Sequence, residues 1–385
     1  MTKGFNHTTL PFAAAVATLL GLLGSDSPAQ QGSPCRAPAD EMTRYLADYD
    51  AFFRGAGGTA AIALDRRIVY SGAWGMADLE HNVPAGLQTA FFVASVTKAF
   101  TGVALLKAAE QGRLSVGAPI ATYLPEFAPP EGRSLTLSLL AAHLGGIREW
   151  RPEERTPAFL STRHEDVADV LALLATDSLV SPPGTRYVYS SPGYNVLAAA
   201  IQTATGQLFQ AYVTQQILGP LALNHTSFDD VRAIVPNRAR GYSYWYPWFS
   251  RQASDTLRRV PAFDYSANMG GGNMLSTSED LVRFGSALLA PGLLTAASLQ
   301  MLRSRIAPGS NWTYGFTLST DSAAGTLLRI TGSDPGYQAS LNIYPDRRLV
   351  IALLQNSWGV RATPPARYAD PIATLVSMCL GTPAR

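Results

Sequence analysis

Ser95-Val96-Thr97-Lys98-Ala99-Phe100-Thr101-Gly102-Val103-Ala104-Leu105-Leu106-Lys107-Ala108-Ala109 is the stretch from which the fold is read. It carries no charge between Lys98 and Lys107, which predicts a helix over 95–109 buried on most sides and stopping at Gln111-Gly112. On a helix, positions i and i+3 share a face, so the Ser95 hydroxyl and the Lys98 amine can meet. Desolvation disfavours an ammonium ion, and a neutral amine accepts a hydroxyl proton. The positive end of a helix dipole then stands beside the developing anion. Ser-x-x-Lys is a common tetrapeptide, and chance is the competing explanation. Lysine occurs here only at Lys3, Lys98 and Lys107. With so few lysines, about 0.2 chance matches are expected.

Upstream, Thr59 to Leu64 and Ile68 to Gly72 flank Asp65-Arg66-Arg67 and predict a β-hairpin. Downstream, residues 120–264 alternate helical patterns, such as Asp166 to Ala175 and Tyr194 to Thr205, with Pro/Gly-rich connections. From Tyr314 the pattern turns to period two, with strands expected over 314–319, 326–330, 338–344 and 349–355. Pro345-Asp346-Arg347-Arg348 predicts a turn between antiparallel strands, and a helix over 368–380 closes the chain. Strands at both ends with helices between them predict an α/β fold with an antiparallel sheet flanked by helices. Its α/β part is expected over 36–119 and 265–385, with an inserted all-helical lobe over 120–264.

Composition sets limits on function. The chain has 385 residues, 47% hydrophobic and 15% charged, with no polar low-complexity tract, so a folded chain is expected. Net charge is +2 and no dense basic run appears, so no nucleic-acid partner is expected. Residues 1–29 read as a signal peptide: Lys3, an uncharged apolar stretch from Leu10 to Gly24, and Ser27-Pro28-Ala29 for cleavage. The expected product is secreted or periplasmic, still at net +2, since Lys3 and Asp26 leave together. No later segment reads as transmembrane. In an oxidising compartment Cys35 and Cys379 either form a disulfide tying the termini together or remain two thiols.

Two further segments carry candidate chemistry. Pro183-Gly184-Thr185-Arg186-Tyr187-Val188-Tyr189-Ser190-Ser191 precedes a helical pattern and can aim Tyr189 and Ser191 at one site; alone it also reads as an ordinary aromatic turn. A phenol beside a lysine can relay protons. Ile330-Thr331-Gly332-Ser333 ends a strand, and such a terminus beside a nucleophile can lend a backbone N–H to an oxyanion hole.

In this order the three segments resemble the active-site motifs of the serine β-lactamase and penicillin-binding-protein superfamily, which has Ser-x-x-Lys and Lys-Thr-Gly elements. The second motif makes class C β-lactamases and family VIII esterases the nearest types. Trp74 to Glu80, His143-Leu144-Gly145-Gly146 within Leu139 to Ile147, and Gly270-Gly271-Gly272 leading to Leu275 to Asp280 are also similar to family segments. Asn237 to Arg240 and Tyr189-Ser190-Ser191 most resemble the mitochondrial serine β-lactamase-like branch and its bacterial relatives. The resemblance implies a β-lactamase-like fold, Ser95 as acylated nucleophile, Lys98 as its basic partner and Tyr189 as proton relay. It implies an oxyanion hole from the N–H groups of Ser95 and Ser333, with Ser191, Ile330, Thr331 and Gly332 in the substrate site. His143 falls at a structural position. No histidine stands in a triad context, and neither metal-ligand spacing nor a cofactor motif appears.

Two departures bear on substrate. Ser191 replaces the usual Asn and reaches less far toward a substrate amide. Ile330 replaces the Lys or His that helps bind a carboxylate. Arg329 is expected on the opposite strand face and is no simple substitute. An apolar Ile330 therefore points to neutral ester or amide substrates, with small esters first. Peptide or D-amino-acid amide hydrolysis, β-lactam hydrolysis, acyl transfer and a non-catalytic binding module are the alternatives. The aromatic run Tyr242 to Phe249 reads either as a wall of an acyl pocket or association surface, or as a packed loop.

Overall fold

A seven-stranded sheet draws its strands from two distant parts of the chain. The computed structural model describes residues 35–125, 134–175, 177–246, 252–359 and 370–381. The expected signal peptide and the first residues of the expected closing helix lie outside them. The strands are β1 (Gly57–Leu64), β2 (Arg67–Asp78), β3 (Val83–Pro84), β4 (Thr317–Asp321), β5 (Gly325–Asp334), β6 (Tyr337–Tyr344) and β7 (Leu349–Gln355). Their order is β3-β2-β1-β7-β6-β5-β4, antiparallel throughout. The hairpin turn is tighter than the sequence suggests. Asp65 and Arg66 both take positive φ, at 50° and 66°, so two residues make the turn and β2 begins at Arg67.

The strands β1 and β7 are apolar without a polar alternation because both faces are covered. Ala60 and Ile62 of β1, with Leu349 and Ile351 of β7, pack on α1 (Ala39–Phe52) and the closing helix Pro371–Leu380, through Met42, Leu46, Leu375 and Val376. Ala61 and Ala63, with Val350 and Ala352, join a larger cluster that contains Val103, Leu281 and Phe284. The period of two thus splits each strand between two cores. Cys35 and Cys379 lie in the first core and are disulfide-bonded, with Cα atoms 4.0 Å apart.

Between β3 and β4 come the elements that serve the site: α2 (Thr97–Glu110) and α3 (Ser191–Thr205). Ser190 caps α3 by accepting from Gly193 N, and Gly206 ends it at φ 71°. The stretch 120–264 is not all-helical. Tyr242–Trp245 and Ala253–Arg259 pair as strands and join Ser357–Trp358 in a small sheet. Aromatic side chains favour a pleated, half-buried surface, and Trp245 packs edge-on against Trp358 at 4.0 Å. Among the described residues no helix is long and apolar enough to cross a membrane.

Candidate active site

Ser95 lies in a single 3-10 turn, Ala94–Val96, that leads into α2, so the residue expected to open the helix stands two positions before it. Ala94 adopts a left-handed φ of 45°, a conformation that costs a non-glycine residue energy and turns the chain sharply into Ser95. From Thr97 to Leu106 every residue of α2 is buried. Lys98 is fully buried, and its Nζ meets three oxygens. It lies 3.2 Å from Ser95 Oγ, 3.2 Å from Ser191 Oγ and 2.6 Å from the carbonyl of Gly271. Tyr189 donates its hydroxyl to Ser95 Oγ at 2.9 Å. Ser95, Lys98, Tyr189 and Ser191, drawn from two segments nearly a hundred residues apart, therefore form one hydrogen-bonded cluster.

Three supports hold this cluster; two of them, Gly270-Gly271 and His143, fall in segments the sequence likens to the family, and the third, Glu149, has no sequence signature. Gly271 supplies the lysine's shortest contact, while Gly270 N donates to Asn195 Oδ1 at 2.8 Å and its carbonyl accepts from Thr101 at 2.6 Å. A Cβ on Gly270 would stand 2.3 Å from the Tyr194 carbonyl, so the close approach needs glycine. Glu149 accepts from Ser191 N at 2.9 Å, placing a carboxylate at the N-terminus of α3, where the helix dipole favours it. His143 brackets Tyr189: its carbonyl accepts from Val188 N at 2.8 Å, its Nδ1 accepts from Ser190 N at 3.1 Å, and the two rings lie 4.5 Å apart. Burial, and secondarily the nearby charge of Lys98, hold the His143 imidazole far below its usual range, so it stays neutral and can accept.

The third segment comes to the same place. The β4–β5 pairing stops at Thr317 and Arg329, leaving residues 330–334 of β5 as a free edge on that side. A Cβ on Gly332 would lie 2.0 Å from the Val93 carbonyl and 3.0 Å from Ser95 N. Only glycine permits this approach, which sets the strand beside the nucleophile turn. Gly332 acts through its backbone, and it is not among the residues lining the cleft. Ile330, Thr331 and Ser333 do line it, with Ser95, Tyr189 and Ser191, in a cavity of about 660 Å³. Ile330 is only 2% exposed and packs in the larger core. Strand alternation sets Arg329 opposite Ile330, yet Arg329 also reaches the cleft, because the strand is an edge there.

Other cleft residues escaped the sequence reading: Glu149, Trp150, Arg155, Tyr265, Trp312 and Asp334. Burial pushes the Asp334 carboxyl up to about 7, against the pull of Arg155 and Lys98. The reading of Tyr242 to Phe249 as a wall of the acyl pocket is corrected for residues 242–246, which do not line the cleft. Tyr242 is tied to Leu79 N at 2.8 Å and Tyr244 to the Arg54 carbonyl at 3.1 Å. Phe249 lies outside the described residues. Among the described residues one group of potential metal ligands, Asp78, Glu80 and His81, comes together, and Arg240 already binds Asp78 at 2.7 Å.

A buried lysine on a serine hydroxyl, a tyrosine on the same oxygen and a glycine-bearing strand edge beside it define a serine-hydrolase arrangement on a β-lactamase-type fold. The chain belongs to the beta-lactamase family, whose model matches residues 43–373. It is 28% identical over 329 residues to the serine beta-lactamase-like protein LACTB, mitochondrial, of Homo sapiens, covering 68% of this chain and 59% of that protein. It thus spans a little over half the length of the mammalian relatives it matches. It is 29% identical over 303 residues to the putative penicillin-binding protein PbpX of Bacillus subtilis, covering 78% of this chain and 71% of that one. The fold is similar to that of an octameric penicillin-binding protein homologue from Pyrococcus abyssi, with TM-score 0.74, 22% identity, and 89% and 77% coverage of the two chains. It is also similar to the fold of a D-amino acid amidase from Ochrobactrum anthropi, with TM-score 0.74, 21% identity, and 89% and 97% coverage.

Proposed function

We propose that this serine hydrolase is exported and cleaves small esters through a Ser95 acyl-enzyme. The carrying observation is that Lys98 Nζ and Tyr189 Oη both lie within hydrogen-bond reach of Ser95 Oγ, at 3.2 and 2.9 Å. Gly271 and Ser191 take two of the lysine's hydrogen bonds and leave its third direction for Ser95. In its neutral form Lys98 removes the Ser95 proton as Oγ bonds to the substrate carbonyl carbon. The resulting oxyanion is received by Ser95 N–H and Ser333 N–H. Collapse breaks the bond to the leaving oxygen, which takes the proton through Tyr189. Water then adds to the acyl carbon, loses a proton to the same pair, and expels Ser95.

Esters and amides differ only in the leaving atom. Ile330 favours a neutral substrate where its side chain lines the cleft; Arg329, the next residue, also reaches the cleft, but alternation sets it on the other face of the strand. Amide hydrolysis is the second reading, supported by the shared fold of the amidase. Hydrolysis of β-lactams, acyl transfer and a non-catalytic role follow behind, the last opposed by the assembled cluster. The Cys35–Cys379 disulfide supports an oxidising destination.

Wild type and Ser95→Ala compared on p-nitrophenyl acetate, a chromogenic cephalosporin and D-alanyl peptides test the reading. Ester turnover lost in Ser95→Ala is expected. Turnover that survives the substitution overturns the nucleophile, and rapid cephalosporin turnover overturns the role given to Ile330. N-terminal sequencing of the protein recovered from the periplasm or medium tests export; an intact Met1 there speaks against cleavage.

A further inference from the structure

Three carboxylates line the cleft, and two are already matched by arginine. Glu149 meets Arg155 at 3.1 Å, and Glu154 receives both terminal nitrogens of Arg148, at 2.7 and 2.8 Å. Asp334 differs. Among the described residues its carboxylate has one hydrogen bond, from the Tyr265 hydroxyl at 3.4 Å, and no lysine or arginine within ion-pair distance. It follows Ser333 directly, and alternation along β5 sets it on the face shared by Ile330 and Gly332. Gly332 is the residue pressed against Ser95 N. A carboxylate without a counter-charge therefore stands one residue beyond the proposed oxyanion donor.

We propose that Asp334 receives the ammonium group of an amine-bearing substrate whose acyl group is transferred to Ser95, and so determines specificity. This rests on the serine-hydrolase reading and names the substrate class within it. Shielding a carboxylate from water without an ion-pair partner is costly, and the partial burial of Asp334 accordingly raises its affinity for a proton. A substrate ammonium supplies the missing charge, and the Tyr265 hydroxyl orients the carboxylate that accepts it. Tyr265 is itself held by stacking on Phe92, with ring centroids 4.6 Å apart. The charged groups whose fields reach Asp334 are Arg155, Lys98 and Glu149. Arg155 is occupied by Glu149, and Lys98 by Ser95, Ser191 and Gly271. Ile330 completes the selection from the other direction, because a cation at that position would repel an ammonium group.

The experiment measures kcat/KM for alanine p-nitroanilide, in both enantiomers, and for its N-acetyl derivative, with p-nitrophenyl acetate reporting the nucleophile separately. Wild type is expected to favour the free amine over the N-acetyl compound by about tenfold or more, the worth of one charged hydrogen bond. In Asp334→Asn that ratio is expected to fall to about one, with the change mainly in KM. A ratio near one in wild type, or one unchanged in Asp334→Asn, overturns the proposal. Since a ratio is read, a general loss of folded protein does not imitate the result. If wild type turns over neither anilide the ratio has no kinetic readout, and if p-nitrophenyl acetate is not cleaved either the hydrolase reading fails on its own. Calorimetric titration of alaninamide and N-acetylalaninamide then decides the ammonium site: preference for the free amine, lost in Asp334→Asn, upholds it, and equal affinity overturns it.

Discussion

The Tyr189 hydroxyl lies 2.9 Å from Ser95 Oγ, and the backbone on both sides of that tyrosine is fastened to one residue, His143. The phenol is therefore positioned by its neighbours in the chain as well as by the oxygen it touches. A group held in this way can pass a proton without first losing rotational freedom. Removing only its oxygen tests that use. Tyr189→Phe keeps the ring against His143 and is expected to lower kcat on p-nitrophenyl acetate by about a hundredfold or more. Intact-mass measurement should still detect acylation of Ser95 in this variant and none in Ser95→Ala. A Tyr189→Phe enzyme with wild-type kcat contradicts the relay.

Gly332→Ala probes the strand edge. The added Cβ would meet the Val93 carbonyl at 2.0 Å and Ser95 N at 3.0 Å, so the strand must withdraw from the nucleophile turn. Loss of one oxyanion donor typically costs about a hundredfold in kcat. A loss of that size, with far-ultraviolet circular dichroism unchanged, is the expected outcome; wild-type kcat would separate the strand edge from the chemistry.

Ile330→Lys exchanges a nearly buried aliphatic for the cation seen in related motifs. Turnover of a carboxylate-bearing ester, relative to p-nitrophenyl acetate, is expected to rise about tenfold. Because Ile330 belongs to the larger core, the same substitution should lower stability by about 1–3 kcal/mol, read by urea denaturation. An unchanged substrate ratio in a folded variant argues that the missing cation does not limit substrate choice.

Asp50 gives a pH signature of the fold. Its carboxyl is buried at the end of α1, accepts from Gln355 at 3.0 Å, and is raised by burial to about 6. Between the model-peptide value of about 4 and 6 the folded chain holds more protons than the unfolded one, so this group makes stability fall as pH rises through that window. Above it the penalty is complete, at up to about 3 kcal/mol. Asp50→Asn, which can still accept from Gln355, is expected to raise stability at pH 8 and change it little at pH 4. Denaturant titrations at the two values check this, and equal effects at both contradict the account.

The Cys35–Cys379 bond closes a loop with a sequence separation of 344 residues. Chain-entropy arguments give about 6 kcal/mol as its largest contribution. Cys35→Ser with Cys379→Ser should lower Tm, and a non-reducing peptide map of the wild type should contain the cross-linked pair. A map with two free thiols removes the bond.

Much of this arrangement is legible in the sequence, for physical reasons. Strand periodicity from Tyr314 onward and the uncharged run of α2 reflect burial, which composition records directly. Ser95, Lys98 and Tyr189 can be found because a nucleophile and its partners need particular side chains at particular spacings. Glu149, Gly271 and Asp334 cannot be found that way. Glu149 and Gly271 act through a backbone amide and a carbonyl, and Asp334 by standing in a cleft where no described lysine or arginine comes within ion-pair distance. Such roles exist only after distant segments meet. The strands at 242–245 and 253–259 were hidden for a related reason, since their third partner, Ser357–Trp358, lies a hundred residues away.

The pairing of β1 with β7 also constrains the order in which the molecule can be built. Ala61 faces Ala352 across the middle of the sheet, so the first long strand waits for one synthesised almost three hundred residues later. Until then β1 is an apolar ribbon with an open side, the kind of surface that recruits a neighbouring chain. Contacts this distant in sequence form slowly. A ribosome-released fragment ending before residue 349 would lack the strand that shields β1, and should be recovered as aggregate or bound to chaperones instead of as a smaller folded protein.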